Sequence, residues 1–226
     1  MDSFTLKLIA CITMLIDHIF AIFVPYSSGI YMLGRGIGRV AFPIYCFLLV
    51  EGFYHTSNRK KYLLRMFIFA IISEIPFDLA FNGFPETARL LDGQNVMITL
   101  LIGLLLMNVY EYLKREYLNQ PLIFNTAGVI VIVAASALAT FLSSDYTYMG
   151  ILFILIFYLF REKKIWIAVG LAVVIVLFSN QIELAALVAL IPIFAYNGKE
   201  GRKVKYVFYA FYPAHLLVLG LIKYLM

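Results

Sequence analysis

The stretch from Phe4 to Pro25, FTLKLIACITMLIDHIFAIFVP, constrains this chain more than any other: it is almost wholly apolar, yet it holds Asp17 and His18 well inside. About 20 such residues cross the hydrocarbon of a bilayer as one helix. An ionisable side chain at that depth costs on the order of 3 kcal/mol on insertion scales, so it marks a functional site by default. Lys7 stands eleven residues before His18. Eleven steps of 100° return to within about 20° of the same helix face. One stripe therefore carries a cation near the membrane surface and an imidazole roughly 16 Å deeper. That layout suits a site that holds an anionic handle at its mouth and does proton chemistry in its depth. The plainer alternatives are a lysine that snorkels to the interface and a neutral histidine tied to a neighbouring helix. Asp17, adjacent in sequence, points about 100° away from His18.

The rest of the chain repeats the pattern. Of its 226 residues 63% are hydrophobic and only 14% charged, with a mean hydropathy of +0.92. This is the composition of an all-α, polytopic integral membrane protein, here taken as a single domain over 1–226. Nine candidate spans can be drawn, at about 4–25, 39–56, 63–83, 96–113, 121–142, 146–160, 164–179, 182–196 and 204–225. The sixth to eighth are short. Lys7, Arg59, Lys60, Lys61, Arg65, Lys114, Arg115, Arg161, Lys163, Lys164, Lys199, Arg202, Lys203 and Lys205 fall on one side of these spans. Only Arg35, Arg39, Arg89 and Lys223 fall on the other. The positive-inside rule then predicts a cytoplasmic N-terminus and an external C-terminus, in the cytoplasmic (inner) membrane of the cell. The first stretch lacks a small-residue cleavage site and is expected to stay as a helix. Cys11 and Cys46 both lie in apolar segments and point to neither a disulfide framework nor a metal site. The net charge of +5 is a topology signal here and gives no reason to expect nucleic acid as a partner. The external connection from Asn82 to Gln94, with Pro85, Arg89 and Asp92, is placed to lid a cavity.

Depth can then be compared between helices. The second span begins at Arg39 and carries Glu51 and His55 on one face. The third leaves the cytoplasm through Arg65 and carries Glu74 and Asp78 around Pro76, a proline expected to break the hydrogen-bond ladder at membrane depth. The ninth carries His215 after Pro213. His18, Asp78 and His215 fall between the midplane and the outer leaflet, with Asp17, Glu74 and Arg39 close by. So many costly groups argue for one hydrated site. The structural alternative pairs Glu51 with Arg59 or Lys60, and Glu74 or Asp78 with Arg39, as buried ion pairs that only fix packing. Gly34, Gly36 and Gly38 in GRGIGR follow no strand and are expected to form a flexible turn rather than a dinucleotide fingerprint. No P-loop, HExxH, Cys/His metal spacing or GxSxG elbow is present. Histidine-centred acid/base chemistry survives, as does a proton-coupled transporter of a small solute, although the inverted repeat usual in transporters is not apparent.

Six ordered blocks carry a resemblance: IDHI at 16–19, IGRVAFPIYCFLLVEGFYHT at 37–56, SEIPFDLAF at 73–81, QNVMITLLIGLL at 94–105, SDYTYMGIL at 144–152 and FYAFYPAHLL at 208–217. Together they resemble the TraX family, whose best-known member N-acetylates the pilin subunit of a conjugative plasmid. The chain departs from the family pattern at Thr147, where a glycine is expected. TraX proteins are in turn similar to wider transmembrane acyltransferases, among them the acyltransferase-3 proteins and the lysosomal heparan glucosaminide acetyltransferase. The Arg-x10-His pattern of the acyltransferase-3 group matches Lys7 and His18, with lysine in place of arginine.

The resemblance implies an acyltransferase that takes acetyl-CoA from the cytoplasm and delivers the acetyl group to an amine or hydroxyl. The acceptor would be a protein N-terminus such as that of a pilin, a sugar or a lipid. Lys7, Arg59, Lys61 and Arg65 are then the candidates for holding CoA phosphates. His18 is the candidate general base, with Asp17 or Asp78 orienting its ring. Arg39, Asn95 and His215 are candidates for steadying the oxyanion, and Glu51, Glu74 and Asp78 complete the set of possible substrate contacts. No metal is expected.

Overall fold

The computed structural model describes residues 1–82, 93–202 and 204–226, and only the backbone of Lys205. All the described secondary structure is helical, apart from one isolated bridge between Gln94 and Ser144. The first helix, α1 (Ser3–Phe23), starts at Asp2, whose carboxylate accepts hydrogen bonds from the Thr5 N–H at 2.8 Å and its hydroxyl at 2.7 Å. It stops at Val24, which precedes Pro25 and is held extended. Two helices, α2 (Tyr31–Gly38) and α3 (Ala41–His55), follow each other with only Arg39 and Val40 between them. The GRGIGR motif is therefore helical, not a turn. Its glycines serve close packing: a Cβ on Gly34 would collide with the Phe20 ring, and one on Gly38 with the Asp17 side chain.

Asn58 caps α4 (Arg59–Phe81) through Lys61 N–H. This helix runs unbroken through Pro76, because a proline removes one donor and its neighbours keep theirs. Asn95 caps α5 (Val96–Tyr117), and Pro121 opens α6 (Pro121–Phe141) at a position where its missing N–H costs nothing. The short helices α7 (Thr147–Leu159) and α8 (Lys164–Phe178) come next. A 3-10 helix, Gln181–Ala189, then leads into α9 (Leu190–Phe194), and α10 (Lys205–Leu225) closes the chain.

Every stretch predicted as a span is helical. Among the described residues, five segments are long and apolar enough to cross a membrane: Ser3–Phe23, Tyr31–His55, Val96–Tyr117, Pro121–Phe141 and Tyr206–Leu225. The chain is thus a multi-pass membrane protein by the character of its helices. Of the four other stretches, α4 is more polar. Helices α7 and α8, at 13 and 15 residues, reach only about 20–22 Å. The last of the four is the 3-10 segment with α9, not one α-helix. The lid proposed for the external connection lies at 83–92, outside the described residues.

Within the bundle the Tyr31–His55 segment, α2 with α3, and α5 are central and α6 is peripheral: 61% and 56% of their most apolar stretches are buried, against 11% for α6. Contacts gather the loops into two groups. At one end the Met1 amino group donates to Ala195 O, Ser3 N–H to Lys199 O, and Lys164 Nζ to Phe194 O. At the other end Gln94 pairs with Ser143 and Asp145, and Arg39 reaches Glu183. One position departs from this end-to-end order. Asn95 Nδ2 donates to the carbonyl of Ala70, at the midpoint of α4, so α5 starts deep within the bundle.

Candidate functional site

Lys7, Cys11, Met14 and His18 recur along α1 at the spacing that keeps side chains on one face. That face borders a cavity of about 410 Å³. Its rim carries Lys7, Arg65, Glu200, His55, Thr56 and Ser57, which sit at the cation-rich end of the bundle. Tyr45, Leu49, Tyr62 and Met66 form walls, and Val96, Met97, Leu100 and Tyr212 lie deeper. Arg65 Nε is buried without a hydrogen-bond partner, and Lys7 Nζ stands 5.7 Å from the Phe208 ring centre. A cationic rim over an aromatic and aliphatic shaft fits a ligand with an anionic head and a thin chain. Arg59 and Lys61, predicted beside Lys7 and Arg65, are exposed on the first turn of α4 and do not line the cavity; Arg59 stacks 4.1 Å over Phe53.

The deep end of the cavity adjoins two histidines. Tyr212 lines the cavity and its ring centre lies 6.5 Å from that of His18 and 5.7 Å from that of His215. The histidines are buried and nearly parallel, with His18 Nδ1 2.7 Å from His215 Nε2. His215 Nδ1 lies 2.8 Å from the carbonyl of Phe211. A carbonyl only accepts, so the proton sits on His215 Nδ1. With both rings neutral, His215 Nε2 then accepts from His18 Nδ1–H, and the lone pair of His18 is left on Nε2. A neutral imidazole pair with one unshared ring lone pair has the chemistry of a general base.

Asp17 does not orient His18. Gly38 lets α2 approach α1 so closely that Asp17 meets Arg35 at 2.8 Å and Arg39 at 3.1 Å. Arg39 continues to Glu183 at 2.9 Å and packs over the Tyr146 ring. The loop that presents Tyr146 is strained: Ser143, Tyr146 and Thr147 all have positive φ, at 49°, 65° and 42°. Arg39 therefore pairs with neither Glu74 nor Asp78. Glu74 and Asn95 do come together, in a hydrogen bond from Asn95 Nδ2 to Glu74 Oε2, while Glu74 Oε1 is buried with no partner. Asp78 accepts from Asn82 at 3.0 Å in an exposed contact.

Glu51 pairs with Arg161 at 2.6 Å, and neither Arg59 nor Lys60 takes that place. It also faces His55 at 3.8 Å, near the cavity rim. The polar groups thus form a histidine site beside the cavity, an Asp17–Arg39–Glu183 network at the opposite end, and the Glu51–Arg161 pair at the rim end. Sequence reasoning placed Arg35 and Arg161 only as topology residues and singled out neither Glu183 nor Tyr212 for the site. A buried carboxylate in a short apolar span was the available sign for Glu183; Tyr212 had none, because tyrosines near span ends also form the aromatic belt.

With this geometry in hand, comparison with known proteins is informative. The family model described as TraX protein matches residues 3–223. The chain is also similar to the probable fimbrial assembly protein FimC, serogroup H1, of Dichelobacter nodosus, with 31% identity over 242 aligned positions that cover 96% of this chain and 94% of that protein. No solved structure matches. A match across nearly the whole length, by two independent comparisons, means that the chain belongs to the TraX family.

Proposed function

We propose that this protein is a membrane-embedded acyltransferase that moves an acetyl group from cytoplasmic acetyl-CoA to an amine or hydroxyl. The observation that carries this is the cavity lined by Lys7 and Arg65 and, at its other end, by Tyr212, whose ring packs against the His18–His215 pair. The rim would face the cytoplasm, in keeping with the positive-inside rule, and the cations would hold the donor's phosphates. The thioester arm would run down the shaft toward Tyr212. His18 Nε2 takes the proton of the acceptor as its nitrogen or oxygen attacks the thioester carbonyl. The new bond to carbon forms, the C–S bond breaks, and the leaving thiolate takes the proton back from His18 Nε2, which returns the base to its neutral form. The wider likeness to acyltransferase-3 proteins supports the same chemistry. The name of the Dichelobacter nodosus relative makes a subunit of a surface fibre the first acceptor to test, with sugars and lipids next.

A proton-coupled carrier is the second possibility. The partnerless oxygens Glu74 Oε1 and Glu183 Oε2 favour it, since such carboxylates suit proton exchange. Incubating the purified chain with acetyl-labelled acetyl-CoA and fibre subunits separates the two. Label is expected on the acceptor, and His18→Ala should abolish it while the protein still elutes as one folded species. Solute flux without label transfer would favour the carrier, and equal transfer by His18→Ala would remove the mechanism.

A further inference from the structure

We infer that His215 is a positioning residue that fixes the proton of His18 on Nδ1, so that Nε2 is held ready as a base. The inference deepens the acyltransferase proposal and rests on it for its kinetic consequence, but its structural content stands apart. Phe211 O can only accept, at 2.8 Å from His215 Nδ1, and this leaves His215 Nε2 as the acceptor 2.7 Å from His18 Nδ1. The arrangement is a three-member relay of carbonyl, imidazole and imidazole. Such a relay does for His18 what a carboxylate does for the histidine of a hydrolytic triad: it selects one tautomer and one ring orientation.

The surroundings hold the relay in place. Phe211 stacks on His215 at 4.8 Å, Phe81 meets the edge of His18 at 5.4 Å, and Tyr212 packs against both histidines. Neither ring can turn over without losing a buried hydrogen bond and an aromatic contact. The nearby charges belong elsewhere, since Asp17 is held by Arg35 and Arg39 and Glu74 by Asn95. His215 is thus the partner that sets the tautomer of His18. When His18 accepts a proton on Nε2, His215 Nε2 steadies the imidazolium through the Nδ1–H it already holds, and no proton needs to leave the pair.

The chain has three histidines, so ¹⁵N-histidine NMR of the full-length protein in nanodiscs can resolve each ring after His55→Gln removes one signal. The expected result is that His18 and His215 both carry the proton on Nδ1, and that His215→Leu releases His18 into a mixture of tautomers. A wild-type His18 protonated on Nε2 would overturn the inference whether or not the protein transfers acetyl groups. The kinetic arm uses acetyl-labelled acetyl-CoA with fibre subunits. His215→Leu should lower kcat at least about 100-fold while KM for acetyl-CoA holds. His215→Gln, whose carboxamide oxygen still accepts from His18 Nδ1–H, should recover at least about 10-fold of that loss. In His215→Asp the carboxylate favours the imidazolium, so the acid limb of the rate profile should move up by on the order of one pH unit. Equal losses in Leu, Gln and Asp with an unmoved acid limb would mean a packing role only. An active wild type with an unaffected His215→Leu overturns this inference alone, whereas a wild type without label transfer overturns the acyltransferase proposal and not the tautomer assignment.

Discussion

Replacing Arg39 by methionine keeps an unbranched apolar stem and removes the charged guanidinium. The guanidinium joins Asp17 and Glu183 at 3.1 and 2.9 Å, with all three side chains only 11% exposed. The two carboxylates are not equally at risk. Asp17 keeps Arg35 at 2.8 Å. Glu183 keeps no other ion pair among the described residues, and its second oxygen is already buried without a partner. Removing one member of a buried pair costs about 3–5 kcal/mol, since the surviving charge has lost its compensation. At about 2–4 °C per kcal/mol for a chain of this size, Arg39→Met should lower Tm by about 6–20 °C. Adding Glu183→Leu removes the stranded charge and should restore at least half of the loss. Cys11 and Cys46 are both buried, so a thiol-reactive dye reports unfolding of the detergent-solubilised protein without an added probe. A single-variant shift below about 2 °C, or a double variant no more stable than the single, would refute the compensation argument.

The other predictions concern the cavity and the backbone. Lys7→Gln and Arg65→Gln should each raise KM for acetyl-CoA about 10-fold with kcat held, the worth of one charge-assisted hydrogen bond, as read from initial rates; a fall in kcat at constant KM would contradict their place at the rim. Gly38→Ala drives a Cβ into the Asp17 side chain and should cost at least about 1–3 kcal/mol in the same melting assay; an unchanged Tm would refute the close approach of α2 to α1. Thr147→Gly should stabilise by about 1 kcal/mol, because a β-branched residue stands at a φ of +42° that glycine adopts freely. A loss of Tm there would mean that the threonine side chain holds the loop.

The stripe from Lys7 to His18 followed from spacing alone; in the structure Lys7 and Met14 line one cavity, while His18 is buried outside its lining and packs against Tyr212, which does line it. Glu74 and Asn95 were both singled out and do meet. Partner choice was harder to read. The structural alternative of an ion pair between Arg39 and Glu74 or Asp78 rests on matching depth, but depth says nothing of which helix is adjacent, and α2 packs on α1 and the 3-10 segment instead. The glycines of GRGIGR read as a turn because glycine is poor in helices of soluble proteins. Between membrane helices the same residue lets backbones close up, and here it brings Arg35 and Arg39 onto Asp17.

Membrane character, the predominance of helix and the short roll of costly polar residues are properties of local composition, and a single sequence carries them. They follow from the energy of moving each residue out of water, which needs no knowledge of its neighbours. The pairing of His18 with His215, of Arg39 with Glu183 and of Glu51 with Arg161 joins residues more than a hundred positions apart. Lipid is as apolar as a neighbouring helix, so the apolar pattern along each span does not say which face meets protein. Those choices were made by helix packing, and with them the proton that His18 carries on one nitrogen and lacks on the other.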